Sequence, residues 1–513
     1  MIRARRASLI ALLAAVLLGS VRPALAHVGS PDVFYEGDAG PYHLIVTVIV
    51  PQVIPGVAEV QIRSQSGDVK SISTAVTRLT GPGSNLAPVP DIAQRSPIDP
   101  HLFTSALWLM EYGSLQVRLK VNGAHGAADM SVPVPSFARQ MLPMPKWLGV
   151  LLLALLSGLA IGAISIIGAA ARDSKLAKGA PVTPEARRKG RRAMLVSAAI
   201  VAAVFYLAFA WWGADAREFA RITQVFKPPK LALTLTGGNR LAISAADSND
   251  PVIQQKIMPQ LMPDHGHLMH LFMVRTPGLD RMWHLHPEAI NREGAFAENL
   301  PPIEAGHYQV FADVVDKSGF PWTLIGAIDL PQISGAPLSG DDSSGTAAPL
   351  TATSSPSISK VSESSDTATD VLADGTRVIW RHDALRANTP MLLWFEVQDK
   401  NGEAARGLEP YMGMAAHAEI IASDLSVFAH IHPSGSVPMA ALMMASADAG
   451  KTPGAMSAMN MPAGVTMREM PPAIVAPNIS MPYGFPKPDL YRIFFQFKRG
   501  GQIETAAFDA RVN

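Results

Sequence analysis

The chain has no cysteine in its 513 residues. That excludes disulfide staples, cysteine-held iron–sulfur clusters, covalent haem attachment and thiolate-ligated zinc or blue copper. A metal ion in this protein has to be held by histidine, methionine, carboxylate or backbone. Charge of one sign is also lacking, since 43 Lys+Arg stand against 42 Asp+Glu for a formal net charge of +1. No global basic field recommends nucleic acid, and none is expected as a partner. What is abundant is Pro (42) and Gly (40), which with modest charge suit β-rich modules joined by turns and linkers. The length has room for roughly three or four domains.

Histidine is sparse but clustered. Of fourteen histidines, eight fall in two short windows. The first runs Asp264-His265-Gly266-His267-Leu268-Met269-His270 and closes on His284-Leu285-His286-Pro287. The second runs Met412-Gly413-Met414-Ala415-Ala416-His417 and closes on His430-Ile431-His432-Pro433. In each, an apolar segment (271–274, 418–421) follows the leading histidine, and an acidic residue, Asp280 or Asp424, marks a turn. Two such units imply a repeated module.

Residues 1–26 read as a secretory signal: Arg3, Arg5 and Arg6, an apolar run over 7–19, then Ala24-Leu25-Ala26 as a cleavage site. Cleavage makes His27 the mature N-terminus, where an α-amine and an imidazole can bind one ion. Segments 148–171 and 193–214 are apolar and long enough to span a bilayer. The loop between them, 172–192, holds eight basic residues, among them Arg187, Arg188, Lys189, Arg191 and Arg192, against Asp173 and Glu185. By the positive-inside tendency this loop is cytoplasmic, and the rest lies outside the inner membrane, in the periplasm. Gly158 and Gly162 are spaced for close helix contact.

The expected fold is mainly β, with three immunoglobulin-like or cupredoxin-like β-sandwich modules and a two-helix transmembrane hairpin. Alternation such as Ala58-Glu59-Val60-Gln61-Ile62-Arg63 places module 1 at 27–145. Module 2 occupies 226–332. A linker at 333–370, rich in Ser, Thr, Ala, Gly and Pro, is expected to be disordered. Module 3 occupies 371–513 and is interrupted by a methionine-rich loop at 439–481.

In a strand, residues two apart share a face, about 6.6 Å apart. His284 and His286 therefore present two imidazoles on one side, and a neighbouring strand can add His270 across the ladder, with His265 and His267 in the loop entering it. In the second unit His430 and His432 do the same with His417. Alignment of the units sets His265 opposite Met412 and His267 opposite Met414, so imidazole is exchanged for thioether. Imidazole suits zinc and copper, while thioether selects reduced copper. The expectation is two sites, one per module: His270, His284 and His286, and Met414, His417, His430 and His432. Copper is the expected metal, zinc the alternative. His43, His101 and His125 are open as partners for His27, whereas His307 and His382 read as structural.

The apolar strand, acidic turn and His-Leu-His-Pro or His-Ile-His-Pro ending resemble the modules of bacterial envelope proteins of the YtkA-like kind. That resemblance implies a β-sandwich in the envelope, associated in some members with copper handling. A mature His27 is similar to the start of periplasmic copper-binding proteins of the CopC type. The resulting expectation is a membrane-anchored periplasmic protein that handles copper in tolerance, transfer or delivery, with an envelope protein as donor or acceptor. Two other classes stay open: a metal-free scaffold or sensor, whose partners would ignore a chelator, and a copper- or zinc-dependent enzyme, which would show metal-dependent turnover.

Overall fold

The computed structural model describes residues 32–142, 144–177, 179–222, 225–246, 258–351, 358–360, 366–448 and 475–513. The signal segment and His27 lie outside the described residues, as does 449–474 of the methionine-rich loop. The chain divides into a β unit (1–51, 55–136 and 227–513) and a helical unit (52–54 and 137–226).

The described part of the β unit is mainly strand, arranged in six antiparallel sheets. In the first module a five-stranded sheet includes Val33–Ala39, Tyr42–Ile49, Gly56–Ser64 and Leu102–Leu109. A four-stranded sheet is built on Val69–Arg78, Gly113–Gly123 and Gly126–Ser136. The strand Gly56–Ser64 shows why: Ala58, Val60 and Ile62 are buried while Glu59 and Arg63 are exposed, a period of two that only an extended strand satisfies. His43 in this module lies between Glu36 and Asp38, at 3.0 and 2.7 Å, and its pKa is pushed up to about 9, chiefly by the Glu36 hydrogen bond. His125 faces Asp68 at 3.2 Å.

The second and third modules follow one plan. In the second, the strand His270–Thr276 pairs on one side with Arg281–Leu285 and on the other with Gly306–Asp316. In the third, His417–Ala422 pairs with Phe428–Ile431 and with Asp489–Arg499. Turn geometry repeats as well: Leu279 and Leu425 both have positive φ, 46° and 62°. Each leading strand is buried on both faces. One face, with Leu271, Met273, Ala418 and Ile420, meets its own module's core. The other carries Phe272, Val274 and Ile421, which join Met282, Phe311, Phe428 and Phe494 in a third apolar cluster between the two modules. Phe311 and Phe428 stack there with ring centroids 4.3 Å apart. The run 271–274, apolar with no polar alternation, has to find cover on both sides, and the third module supplies it on the outer one.

Several expected boundaries change. The segment 333–370 is not simply a disordered linker: Ser343–Thr346 pairs with Arg281–Leu285, and Ile358–Lys360 and Asp366–Val371 enter a sheet of the third module. Ser343 and Gly345 are small and buried against the partner strands, a role composition alone does not reveal. Within 439–481, Met439–Asp448 is a helix and Asn478–Tyr483 a strand. The first module also docks on the third through Phe34, which sits in the third module's core beside Tyr483.

In the helical unit, helices Lys146–Asp173 and Pro184–Ile222 are long and apolar enough to cross a membrane. The second begins inside the expected loop 172–192, because Thr183 Oγ1 accepts the Ala186 N–H and Pro184 suits a first helical position. Close approach is not at Gly158 and Gly162, which have nothing within 4 Å of a Cβ. It falls at Gly168 and Gly190: a Cβ on Gly168 would lie 2.2 Å from Met194 Cγ.

Candidate metal centre

Both leading histidines are set by the same turn. Asp264 and His267 exchange backbone hydrogen bonds of 2.8 and 2.9 Å, as Tyr411 and Met414 do at 2.8 and 3.0 Å. Between them His265 and Met412 take left-handed φ of 51° and 49°, followed by Gly266 and Gly413 at 91° and 79°. A non-glycine residue there costs on the order of 1 kcal/mol, and both turns hold it at the site.

The structure brings the expected ligands together as two triads that abut between the modules. His270, His284 and His286 form one triad, with ligand-capable atoms within 4.8 Å of one another. His417, His430 and His432 form a second on the same criterion. The triads abut: the His430 ring centroid is 5.5 Å from those of both His270 and His284. His265 leaves its own module and faces His432, Nε2 to Nε2 at 3.2 Å. His267 lies over His286, centroids 4.0 Å apart, with Nε2 3.3 Å from Asp341. Met412 and Met414 are buried in the second turn, where the Met412 carbonyl accepts a 3.0 Å hydrogen bond from His265 Nδ1.

Hydrogen-bond partners decide where each proton sits. A carbonyl oxygen can only accept, so His270 Nε2 carries the proton it gives to Asp264 O at 3.0 Å, and Nδ1 presents a lone pair. Gln496 uses its amide N–H on Ser343 Oγ at 2.6 Å, which turns its oxygen toward His284 Nδ1 at 3.0 Å. His284 therefore donates from Nδ1 and presents a lone pair at Nε2. Those two lone pairs, His270 Nδ1 and His284 Nε2, face each other at 3.1 Å with no proton between them. The second triad repeats the spacing, and the proton of His417 is fixed in the same way. His417 Nε2 donates to Tyr411 O at 3.0 Å, His430 Nδ1 faces Asp313 Oδ2 at 3.8 Å, and His417 Nδ1 meets His430 Nε2 at 3.0 Å. His286 donates from Nδ1 to Asp342 at 3.0 Å and leaves a buried Nε2 without a partner.

Opposed lone pairs repel unless a cation lies between them. Two imidazoles bound to one tetrahedral ion at ~2.0–2.1 Å each hold their nitrogens ~3.3 Å apart, close to the spacing found. Burial pushes His270 down to about 4, and neighbouring imidazoles add to the shift. Burial first, then the other imidazoles, also hold His284, His286, His417, His430 and His432 well below the usual histidine range. Neutral imidazole is the form that ligates. The residues present therefore fit a metal ion that accepts nitrogen ligands.

Four supporting residues escaped sequence reasoning. Asp313 and Gln496 occupy equivalent places on the strands beside the leading histidines, being the register partners of His270 and His417. Each serves the other module's triad. Glu419 stands where the second module has Phe272, fully buried, with Oε1 3.7 Å from His284 Nδ1 and both oxygens without a hydrogen bond. Burial raises its pKa well above the usual carboxylate range and lifts that of Asp313 to about 7. Tyr411 donates to Asp341 O at 2.8 Å. The alignment that set His265 opposite Met412, carried on to the third strand, was the one signal that could have found the Asp313 and Gln496 pair.

Gln496→Leu removes the acceptor that orients His284. Affinity at the first triad is expected to fall about 10- to 100-fold, with Gln496→Glu restoring it. Equal affinity in Gln496→Leu and wild type, by competition with a chromophoric chelator, would refute the orienting role.

Residues 369–513 match a family described as a domain of unknown function (DUF8832). The match contains the second triad and excludes the first. No curated protein matches the chain. Among solved structures, it is similar to a tetra-tandem repeat from the extending region of a large adhesion protein, at 9% identity, covering 91% of this chain and 98% of that one, with a TM-score of 0.15. Dimeric latent PorU from Porphyromonas gingivalis aligns at 8% identity over 94% of this chain and 34% of that one, TM-score 0.14. Trypsin-activated alpha-2-macroglobulin from Escherichia coli aligns at 6% identity over 96% of this chain and 24% of that one, TM-score 0.16. Scores this low bear neither on fold family nor on activity.

Proposed function

We propose that this is a membrane-anchored envelope protein that binds copper between its second and third modules, for tolerance, transfer or delivery to an acceptor protein. Zinc is the alternative ion. One observation carries the reading: His270 Nδ1 and His284 Nε2 face each other at 3.1 Å as unprotonated imidazole nitrogens, each ring's proton held away by a fixed acceptor, and His417 and His430 repeat the spacing at 3.0 Å. The ion would be the transferable cargo itself, held by imidazole nitrogens. The chain's own groups set its geometry: His270, His284 and His286 on one side, His417, His430 and His432 on the other.

Copper is favoured over zinc by the methionines at positions 412 and 414, which stand where the other unit has His265 and His267, in a chain without cysteine. Placement outside the inner membrane rests on the apolar N-terminal segment and on the basic residues between the two apolar helices. The β modules are proposed as immunoglobulin-like, in keeping with the YtkA-like motif endings.

The test is titration of the full chain in detergent with copper and with zinc. Two ions per chain are expected, and none at either triad when His284, His286, His430 and His432 are all replaced by alanine. Identical binding by that variant and wild type would defeat the proposal.

A further inference from the structure

The repeat offers more than two equivalent triads. The two modules exchange groups across their interface by an approximate twofold: His284 Nδ1 meets Gln496 of the third module, and His430 Nδ1 meets Asp313 of the second. Asp264 of the first turn accepts the Ala440 N–H at 2.7 Å, while Tyr411, its counterpart, reaches back to Asp341 O. His265 follows the same rule. Its Nδ1 donates to Met412 O, and its Nε2 lies 3.2 Å from His432 Nε2, with centroids 5.2 Å from His417. Its side chain is fully buried. The second triad thereby gains a fourth imidazole supplied by the other module.

The residue that this twofold exchanges with His265 is Met412. Both occupy the left-handed position of the same turn, both precede a glycine of positive φ, and both are buried, at 7% exposure each. We propose, building on the metal-binding reading above, that the two triads hold chemically unequal sites: His417, His430, His432 and His265 form an all-nitrogen site, while His270, His284 and His286 are completed by the Met412 thioether.

Under that twofold, the place His265 takes beside the second triad falls to Met412 beside the first, since the two share one turn position and one degree of burial. Three nitrogens and one thioether make a softer set than four nitrogens, so the first site favours reduced copper and the second accepts zinc or oxidised copper. His267 belongs with the softer site. Its ring covers His286, and it is the most exposed imidazole of the cluster, at 30% of its side chain. Structural ions are held in closed four-ligand sites, and exchange needs a reachable ligand. The first site is therefore the one through which an ion enters and leaves.

The experiment uses the full chain in detergent, loaded with one and two equivalents of Cu(I), and separately with zinc. X-ray absorption at the copper edge and competition affinities are read for wild type, Met412→Leu and His265→Ala. Leucine keeps the volume of methionine, so folding is preserved. With one equivalent of Cu(I), wild type is expected to show a sulfur scatterer that Met412→Leu loses, with Cu(I) affinity at that site roughly tenfold or more weaker. His265→Ala should weaken the other ion and keep the sulfur signal. Sulfur scattering that survives Met412→Leu, or both substitutions weakening the same ion, would overturn the assignment. A wild type that binds no ion removes the metal-binding reading itself. Two bound ions with no response to Met412→Leu remove only the inequality proposed here.

Discussion

Loading the cluster with copper or zinc is expected to raise the melting temperature of the second and third modules and to make them unfold as one. An ion that binds only the folded chain adds RT ln(1 + [L]/Kd), about 4 kcal/mol at a thousandfold excess over Kd. Two ions add about twice that, a large share of the ~5–15 kcal/mol that holds a domain folded. Coupling follows from where the ligands sit. The triads straddle an interface whose apolar layer, Phe272, Met282, Phe311, Phe428 and Phe494, is drawn from both modules. His265 and Gln496 each act on the other module's imidazoles. One module cannot unfold without dismantling both sites. Scanning calorimetry with metal, and again with excess chelator, is the measurement. Superimposable traces would show that nothing of consequence binds here.

The metal-free protein should lose stability steeply in acid, and His270 should account for a measurable part. Its folded pKa is depressed to about 4 by burial, against ~6.5 in an unfolded chain. Between those values the unfolded state binds a proton that the folded state refuses, so the contribution of neutral His270 is intact above pH ~6.5 and is lost as pH falls toward 4. At ~1.4 kcal/mol per pH unit, that amounts to about 3 kcal/mol across the window. Five further buried imidazoles are shifted the same way. Buried carboxyls oppose them: Asp313, raised to about 7, and Glu419, raised well above its usual range, hold protons that the unfolded chain releases. A difference measurement isolates one histidine from this opposition. His270→Asn cannot titrate, so urea midpoints of wild type and variant, in chelator, should converge or cross as pH drops from 6.5 to 4. Parallel lines would mean that His270 is protonated in the fold.

Much of the plan was readable. The His-x-His-Pro endings, the leading histidines and the segments 271–274 and 418–421 marked two copies of one unit, and their strands lie close to those segments. That the two sites abut was also written in the run 271–274. A strand of four consecutive apolar residues is covered on both faces, and one module has a core for only one of them. The segment around Ser343 could not be read at all. Its composition is that of a linker, and its strand exists because Arg281–Leu285 offers an open edge. Small residues are what the crowded ladder beside Phe494 admits.

By itself the sequence determined which atoms were available: no thiolate, eight clustered histidines, and a thioether where the repeat departs from itself. It also determined which residues share a face, because a strand's period of two is local. Tertiary structure alone decided that imidazoles 167 positions apart, His265 and His432, meet at 3.2 Å, and which nitrogen of His270, His284 and His417 is free. Those depend on the packing of one sheet against another and on acceptors that arrive from the far module, and no local pattern in a chain encodes the partner of a face.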